Sequence, residues 1–269
     1  MAIPTTDSGW ARAMPSSAEG GSGQSGPVTK RARLAGRRQE MDDVGFFTVD
    51  ALFSAAEMED LNQALEDFEA RLARENLESR EVVFTQKVAE RDERVRAFAQ
   101  QDVFVEISTA FLGPDTDLYF NQKVYKNPNG ENAFSWHQDE GYGPVEPSPY
   151  LTVWIAINDA TPENGCVSVL PGSHKRGLVH HWRGSFGLEC HRFDDPDQGV
   201  LVPLSAGSIA VFWSQTIHKS GPNLTAGVRK AMVLQFSPLG LRHTASGMLI
   251  RSRVAIARMG HPARGNLEV

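Results

Sequence analysis

This sequence predicts a mostly β fold with helices flanking its N-terminal side, and three patterns carry the prediction. Apolar residues recur at helical spacing only early in the chain, at Met58, Leu61, Leu65, Phe68 and Leu72, and again from about Asp92 to Leu112. From Leu118 the period changes to two, so alternate side chains divide between two faces. Turn-forming runs such as Asn127-Pro128-Asn129-Gly130 and Glu163-Asn164-Gly165 punctuate the remainder.

The bulk numbers narrow the class. A chain of 269 residues with 41% hydrophobic and 22% charged residues buries one substantial core. Its net charge of −6 gives no global attraction to nucleic acid or to an anionic membrane, so neither is expected as a partner. There are two cysteines, Cys166 and Cys190, and no apolar run near the ~20 residues that span a bilayer. No secretory apolar core follows Met1, and a soluble, cytoplasmic protein is expected. Composition leaves monomer and homodimer equally open.

Two regions are expected, 1–38 and 39–269. The stretch from Pro15 to Pro27 is rich in Gly, Ser and Pro and reads as disordered. Lys30, Arg31, Arg33, Arg37 and Arg38 follow as a basic cluster, read as a solvated linker, with nuclear or organelle targeting as the alternative. Order is expected to begin near Met41. Ser54 with Glu57 forms a capping box ahead of the first helix, and Gly113-Pro114 stops a second one. Between them, E-V-V-F-T-Q-K-V reads as a strand.

Along the first long strand, Leu118, Phe120, Gln122 and Val124 are placed on one face, which puts a polar amide among apolar neighbours. In Y-L-T-V-W-I-A-I-N, the residues Leu151, Val153, Ile155 and Ile157 make an apolar face suited to packing under the helices. Tyr150, Thr152, Trp154 and Ala156 then face the interior. Glu163-Asn164-Gly165 is read as a hairpin turn, and His174 as a structural turn residue.

The chemistry concentrates at F-S-W-H-Q-D. His137 and Asp139 are two apart, so on a strand both leave the same face, and one further imidazole would complete a two-His-one-carboxylate iron set. His218, in W-S-Q-T-I-H-K-S-G-P-N, is the candidate. Arg229 follows in G-V-R-K-A-M-V-L-Q-F, on the face with Ala231 and Val233, where a guanidinium needs an anion. That makes it the natural clamp for a carboxylate-bearing cosubstrate, with Lys87, Lys123 and Lys126 as fallback cations.

H-Q-D, N-G-C-V-S-V-L-P-G-S-H, H-x-S-G and the following Arg, taken together over roughly Val44 to Phe236, resemble the phytanoyl-CoA dioxygenase family of Fe(II)- and 2-oxoglutarate-dependent oxygenases. The resemblance implies a double-stranded β-helix, or jelly-roll, core. It implies Fe(II) held by His137, Asp139 and His218, and 2-oxoglutarate met by Arg229 and Ser220; the strand faces read above add Gln122 and Thr152 as hydrogen-bonding contacts of the cosubstrate and Trp154 as its wall. It implies O2 as second cosubstrate, stimulation by ascorbate, and hydroxylation of a small molecule with release of succinate and CO2. The alternative is a metal-binding jelly-roll protein without turnover.

The substrate is not written in these motifs. Two irregular segments, Glu140 to Ser148 and Gly177 to Gln198, are expected at the barrel mouth. Tyr142, Trp182 and Phe186 would supply apolar contact there, and Glu140, His180, His181, Arg183 and Arg192 polar contact. A substrate with an apolar body and at least one polar or anionic group is expected. His180, His181 and His191 as a second metal cluster is the lesser reading of the longer segment.

Overall fold

The computed structural model describes residues 29–34, 36–74, 82–130, 133–184, 186–190 and 199–264. Helices α1 (Lys30–Leu34) and α2 (Arg37–Asp43) lead into strand β1 (Phe46–Val49), helix α3 (Ala55–Arg74), strand β2 (Val82–Gln86) and helices α4 (Glu93–Ala99) and α5 (Asp102–Leu112). Then come β3 (Thr116–Lys126), β4 (Phe134–His137), β5 (Val145–Glu146), β6 (Leu151–Ala156) and β7 (Val167–Val169). A short hairpin, β8 (Trp182–Arg183) and β9 (Leu188–Glu189), precedes β10 (Val200–Val202), β11 (Ile209–Trp213), β12 (His218–Ser220) and β13 (Arg229–Pro238). The last elements are β14 (Arg242–His243), β15 (Ala255–Arg258) and β16 (His261–Pro262).

Two antiparallel sheets form the expected jelly roll. The larger runs β1-β11-β6-β13-β3-β15-β16, with β2 also on β3, and the smaller runs β10-β7-β12-β4. The helices cover the outer face of the large sheet, where Leu151, Val153, Ile155 and Ile157 meet Leu61, Leu65, Phe104 and Ile107 in the main core. Phe53, Phe98, Phe104 and Phe236 pack their rings 5.0 to 5.7 Å apart within it. The inner faces of the two sheets close on a second cluster, in which Trp154, Ala156, Ala231 and Val233 meet Val167, Val169 and Val202. One end of that inner layer is left polar, and it holds the site.

Local chemistry explains most of the helical layer. The Ser54 backbone N–H donates to the Glu57 carboxylate (2.8 Å) and the Glu57 N–H to the Ser54 hydroxyl (3.3 Å), as the capping box requires. The predicted single helix over Asp92 to Leu112 is instead two. Gln101 is extended, and the Gln100 side chain donates to the carbonyls of Ala255 (2.8 Å) and Ala263 (3.1 Å), a tertiary demand that local spacing does not reveal. Glu163-Asn164-Gly165 is a turn but not a hairpin, because β6 and β7 belong to different sheets.

On the N-terminal side of the expected boundary at residue 38, several basic side chains meet the helical layer. Lys30 pairs with Glu57 (2.6 Å) and lies over the Phe53 ring, and Arg33 donates to the carbonyls of Asp50 and Ala51. Arg38 donates to the Ala110 carbonyl. At these positions the basic cluster touches the helical layer. The disorder expected for Pro15 to Pro27 lies outside the described residues, as does the end of the chain beyond Arg264. Deleting residues 1–38 should lower the thermal midpoint by roughly 5 °C relative to a chain lacking residues 1–28, as expected for a loss of about 2 kcal/mol in a domain of this size. Equal melting curves for the two truncations would place α1 outside the cooperative unit.

Candidate metal and cosubstrate site

His137 ends β4 and His218 begins β12, and the two are direct cross-strand partners, so their side chains leave the same face with ring centroids 4.3 Å apart. Asp139 is not on the strand as expected. It opens a 3-10 turn over Asp139–Tyr142, but the intervening Gln138 keeps an extended backbone, which preserves the same-face relation. The Asp139 carboxylate lies 3.9 Å from His137 Nε2 and 3.6 Å from His218 Nε2. One ligand atom from each of the three falls within 4.8 Å of the others, the sole such grouping found among the described residues. His191, needed for the lesser reading of a cluster with His180 and His181, lies outside the described residues, as does Arg192.

The surroundings prepare these atoms for a cation. The His137 Nδ1–H donates to the Ser135 carbonyl (2.7 Å) and the His218 Nδ1–H to the Thr216 carbonyl (3.0 Å), since a carbonyl only accepts. Both Nε2 lone pairs are thereby left facing inward. Burial first, and the neighbouring His218 imidazole second, hold His137 well below the usual histidine value, which favours the neutral imidazole that can ligate. The Thr152 hydroxyl donates to Asp139 Oδ2 (2.6 Å). Thr152, expected as a cosubstrate contact, thus orients Asp139, and it also lines the cavity that holds Arg229.

Gln138, between the ligands, is wholly buried and fully bonded. Its amide donates to the carbonyls of Gly177 (2.9 Å) and Gln215 (2.6 Å) and accepts from the Val179 N–H (2.8 Å). Its backbone N–H donates to His181 Nε2 (2.9 Å). His181 is thus a brace behind the metal strand and not a substrate contact. Glu140, also expected at the substrate mouth, is buried and accepts from the Ser148 and Ser214 hydroxyls. His174 caps the Asp42 carbonyl and packs over Gly45, away from the site.

Behind the ligand set lies a small cavity of about 70 Å³ walled by Gln122, Thr152, Trp154, Ser220, Arg229 and Gln235. Arg229 is 1% exposed, with its guanidinium carbon 5.2 Å from the Trp154 ring centre. Among the described residues its one hydrogen bond is a long one to the Val124 carbonyl (3.4 Å), and its buried Nε has no partner. Burial lowers it to about 10, so it stays charged at neutral pH. Directly across the β13–β3 ladder stands Lys126, 2% exposed, which donates to Ser220 Oγ (2.8 Å) and to the carbonyls of Ser220 and Gly221. Burial first, and the Arg229 charge second, pull Lys126 down to about 6. A buried guanidinium facing a buried amine with no carboxylate beside it is costly, and a bound anion would offset that cost.

Of the fallback cations, then, Lys126 alone reaches the site. Lys123 pairs with Glu69 on the opposite face, and Lys87 is exposed elsewhere. Gln122 has no side-chain partner among the described residues, so its amide is open to a ligand. The expected face-sharing of Leu118 with Gln122 fails, because Tyr119 is bulged where β3 meets β13, and Leu118 turns into the main core.

On the other side of the ligands is a cavity of about 500 Å³ lined by Tyr119, Phe120, Phe134, Tyr142, Phe186 and His243, among others. Tyr142 is there as expected, its hydroxyl accepting from the Leu188 N–H (3.1 Å). Trp182 and Arg183 are not. They lie in the β8–β9 hairpin, whose tip residues Phe186 and Gly187 reach the cavity in their place.

Two sheets closed over a two-His-one-carboxylate set, with a buried anion receptor behind it, are the arrangement of a non-haem iron oxygenase. The chain belongs to the phytanoyl-CoA dioxygenase family, whose model matches residues 41–231, and with it to the 2-oxoglutarate-dependent dioxygenases. It is 24% identical over 225 residues to a probable alpha-ketoglutarate-dependent hypophosphite dioxygenase of Stutzerimonas stutzeri, covering 76% of this chain and 78% of that protein. To the peroxisomal phytanoyl-CoA dioxygenase of Homo sapiens it is 32% identical over 138 residues, covering 47% of this chain and 41% of the relative. Among solved structures the fold matches the non-heme alpha ketoglutarate dependent carbocyclase SnoK with a TM-score of 0.71 at 21% identity, covering 86% of this chain and 99% of that one. At that identity the likeness is one of fold. Among the described residues no helix is long and apolar enough to cross a membrane.

Proposed function

We propose that the protein is a cytoplasmic Fe(II)- and 2-oxoglutarate-dependent dioxygenase that hydroxylates a small organic molecule, with iron on His137, Asp139 and His218. The observation that carries this reading is the pairing of three converging ligand atoms with a buried guanidinium that lacks its anion. Iron, 2-oxoglutarate and O2 together supply an oxidant for a C–H bond, with succinate and CO2 released. The chain's own residues do the positioning. Arg229 and the Ser220 hydroxyl hold the distal carboxylate of the cosubstrate, Gln122 donates to it from the β3 side, and Trp154 walls it in. Lys126 positions Ser220 by donating to its hydroxyl. Thr152 fixes Asp139, and the Ser135 and Thr216 carbonyls fix the imidazoles. A metal-holding protein without turnover would leave the Arg229–Lys126 pair without purpose.

The test is anaerobic addition of Fe(II) and 2-oxoglutarate to the purified chain, followed by O2. A metal-to-ligand charge-transfer band, then succinate release stimulated by ascorbate, is expected. A chain that bound neither iron nor 2-oxoglutarate would not be an oxygenase of this kind.

A further inference from the structure

The aromatic cavity facing the metal carries no Lys or Arg side chain among its lining residues. A second cavity, of about 580 Å³, adjoins it and shares Tyr119, Phe120 and His243 as a common wall. Its far side is built differently. Lys87, Arg91, Arg251 and Arg253 line it, and its one acid, Glu90, already accepts from the Asn121 amide (2.7 Å). Among the described residues none of the four cations has a carboxylate partner. The Arg91 guanidinium instead rests 5.0 Å from the centre of the Phe68 ring. In a chain of net charge −6, four unpaired cations around one concavity form a local positive focus.

We propose that this outer cavity is the anion subsite of the substrate. Resting on the dioxygenase reading above, it specifies the substrate class: an amphipathic molecule whose uncharged, apolar body lies against the aromatic wall beside the metal, and whose carboxylate or phosphate reaches Lys87, Arg251 and Arg253. The polar or anionic group expected of the substrate is thereby given a place at this rim. Two features make the division of labour physical. Aromatic faces bind an apolar body without needing charge, while exposed guanidinium groups hold an anion without the desolvation that a buried pair would demand.

The test uses the full chain and three probes that differ only in the head group: phenylbutyl phosphate, phenylbutyrate and phenylbutanol, with inorganic phosphate alone as a fourth. Calorimetric titration is run on the metal-free chain and on the chain loaded anaerobically with Fe(II) and 2-oxoglutarate. At least one charged probe should bind about tenfold tighter than the alcohol, and the preference should shrink as salt is raised. Replacing Arg251→Glu and Arg253→Glu together should abolish the preference while the charge-transfer band stays. Both side chains are exposed, so folding is not at stake, and Lys87→Glu gives a second, independent variant. Whichever anion wins distinguishes carboxylate from phosphate substrates. Equal binding of alcohol and anions, inorganic phosphate binding as tightly as phenylbutyl phosphate, or a preference that survives the charge reversals would each overturn the proposal. Loss of the charge-transfer band in the unaltered chain would instead sink the dioxygenase reading, and the metal-free titration would still decide the anion subsite.

Discussion

Asp139→Ala should abolish succinate formation and the anaerobic charge-transfer band, and Thr152→Val should lower metal affinity without abolishing either. Asp139 is the sole anionic ligand atom in the set, 3.9 and 3.6 Å from the two imidazole nitrogens it must join. Removing it leaves two neutral donors and no charge to offset a divalent cation. The cost should exceed the roughly 10- to 100-fold in metal affinity that loss of an outer-shell partner typically causes. Thr152→Val is such an outer-shell loss. It keeps the volume beside β13 but deletes the hydroxyl that donates to Asp139 Oδ2 at 2.6 Å, so the carboxylate remains charged and merely loses its preferred orientation. His218→Ala should resemble Asp139→Ala, because the Thr216 carbonyl holds that ring with its Nε2 turned inward. Iron titration monitored at the charge-transfer band separates the two classes. A Thr152→Val chain as inert as Asp139→Ala would show that Thr152 contacts the cosubstrate after all. A fully active His218→Ala would remove the assignment of the ligand set.

What could be read in the sequence were features whose cause is local. His137 and Asp139 declare themselves because two positions apart on extended backbone means one face, and the relation survived even though Asp139 proved to lie past the end of the strand. The polar face of β13 was equally plain, since Arg229 among Ala231, Val233 and Gln235 has no bland explanation. Lys126 belongs to the same kind of pattern. It follows Gln122 and Val124 by steps of two and so shares their face, a signal present in the sequence but read only as a fallback clamp. Other features depend on partners far along the chain. The bulge at Tyr119, which turns Leu118 away from Gln122, exists because β13 pairs with β3 in two registers. Gln138 and His181 meet across a loop whose path is set by the Gly177, Val179 and Gln215 backbone. The same holds for the substrate side: the β8–β9 hairpin offers its tip to the cavity and keeps Trp182 and Arg183 off it. Period and composition carry no trace of such choices.

Arg229→Met should stabilise the cosubstrate-free protein while destroying its response to 2-oxoglutarate. In the free protein the guanidinium is 1% exposed, with one long bond at 3.4 Å and an Nε that bonds to nothing, so Met of similar length removes a desolvation cost and gives up little. It also relieves Lys126, whose depression to about 6 from 10.5 owes its second largest part to the Arg229 charge. The pH dependence follows in sign. A lysine whose folded value is lowered binds fewer protons folded than unfolded between those two values, so the free protein should gain stability as pH rises from about 6 toward 10.5, and the gain should shrink in Arg229→Met. Binding a dianion beside Arg229 supplies the missing countercharge, so 2-oxoglutarate should flatten that slope. Loss of a bidentate, charge-assisted contact costs roughly 3 kcal/mol, or about a hundredfold in affinity. At a 2-oxoglutarate concentration 100 times the unaltered chain's Kd, the stabilisation of about 2.7 kcal/mol should therefore fall below about 0.5 kcal/mol in the variant. Arg229→Lys keeps a charge but not the fork, and should fall between the two. Thermal melts of the three chains, with and without 2-oxoglutarate across that pH range, measure all of this at once. An Arg229→Met chain that is less stable when free, yet still stabilised by 2-oxoglutarate, would show that the guanidinium is a structural strut and that the clamp is elsewhere.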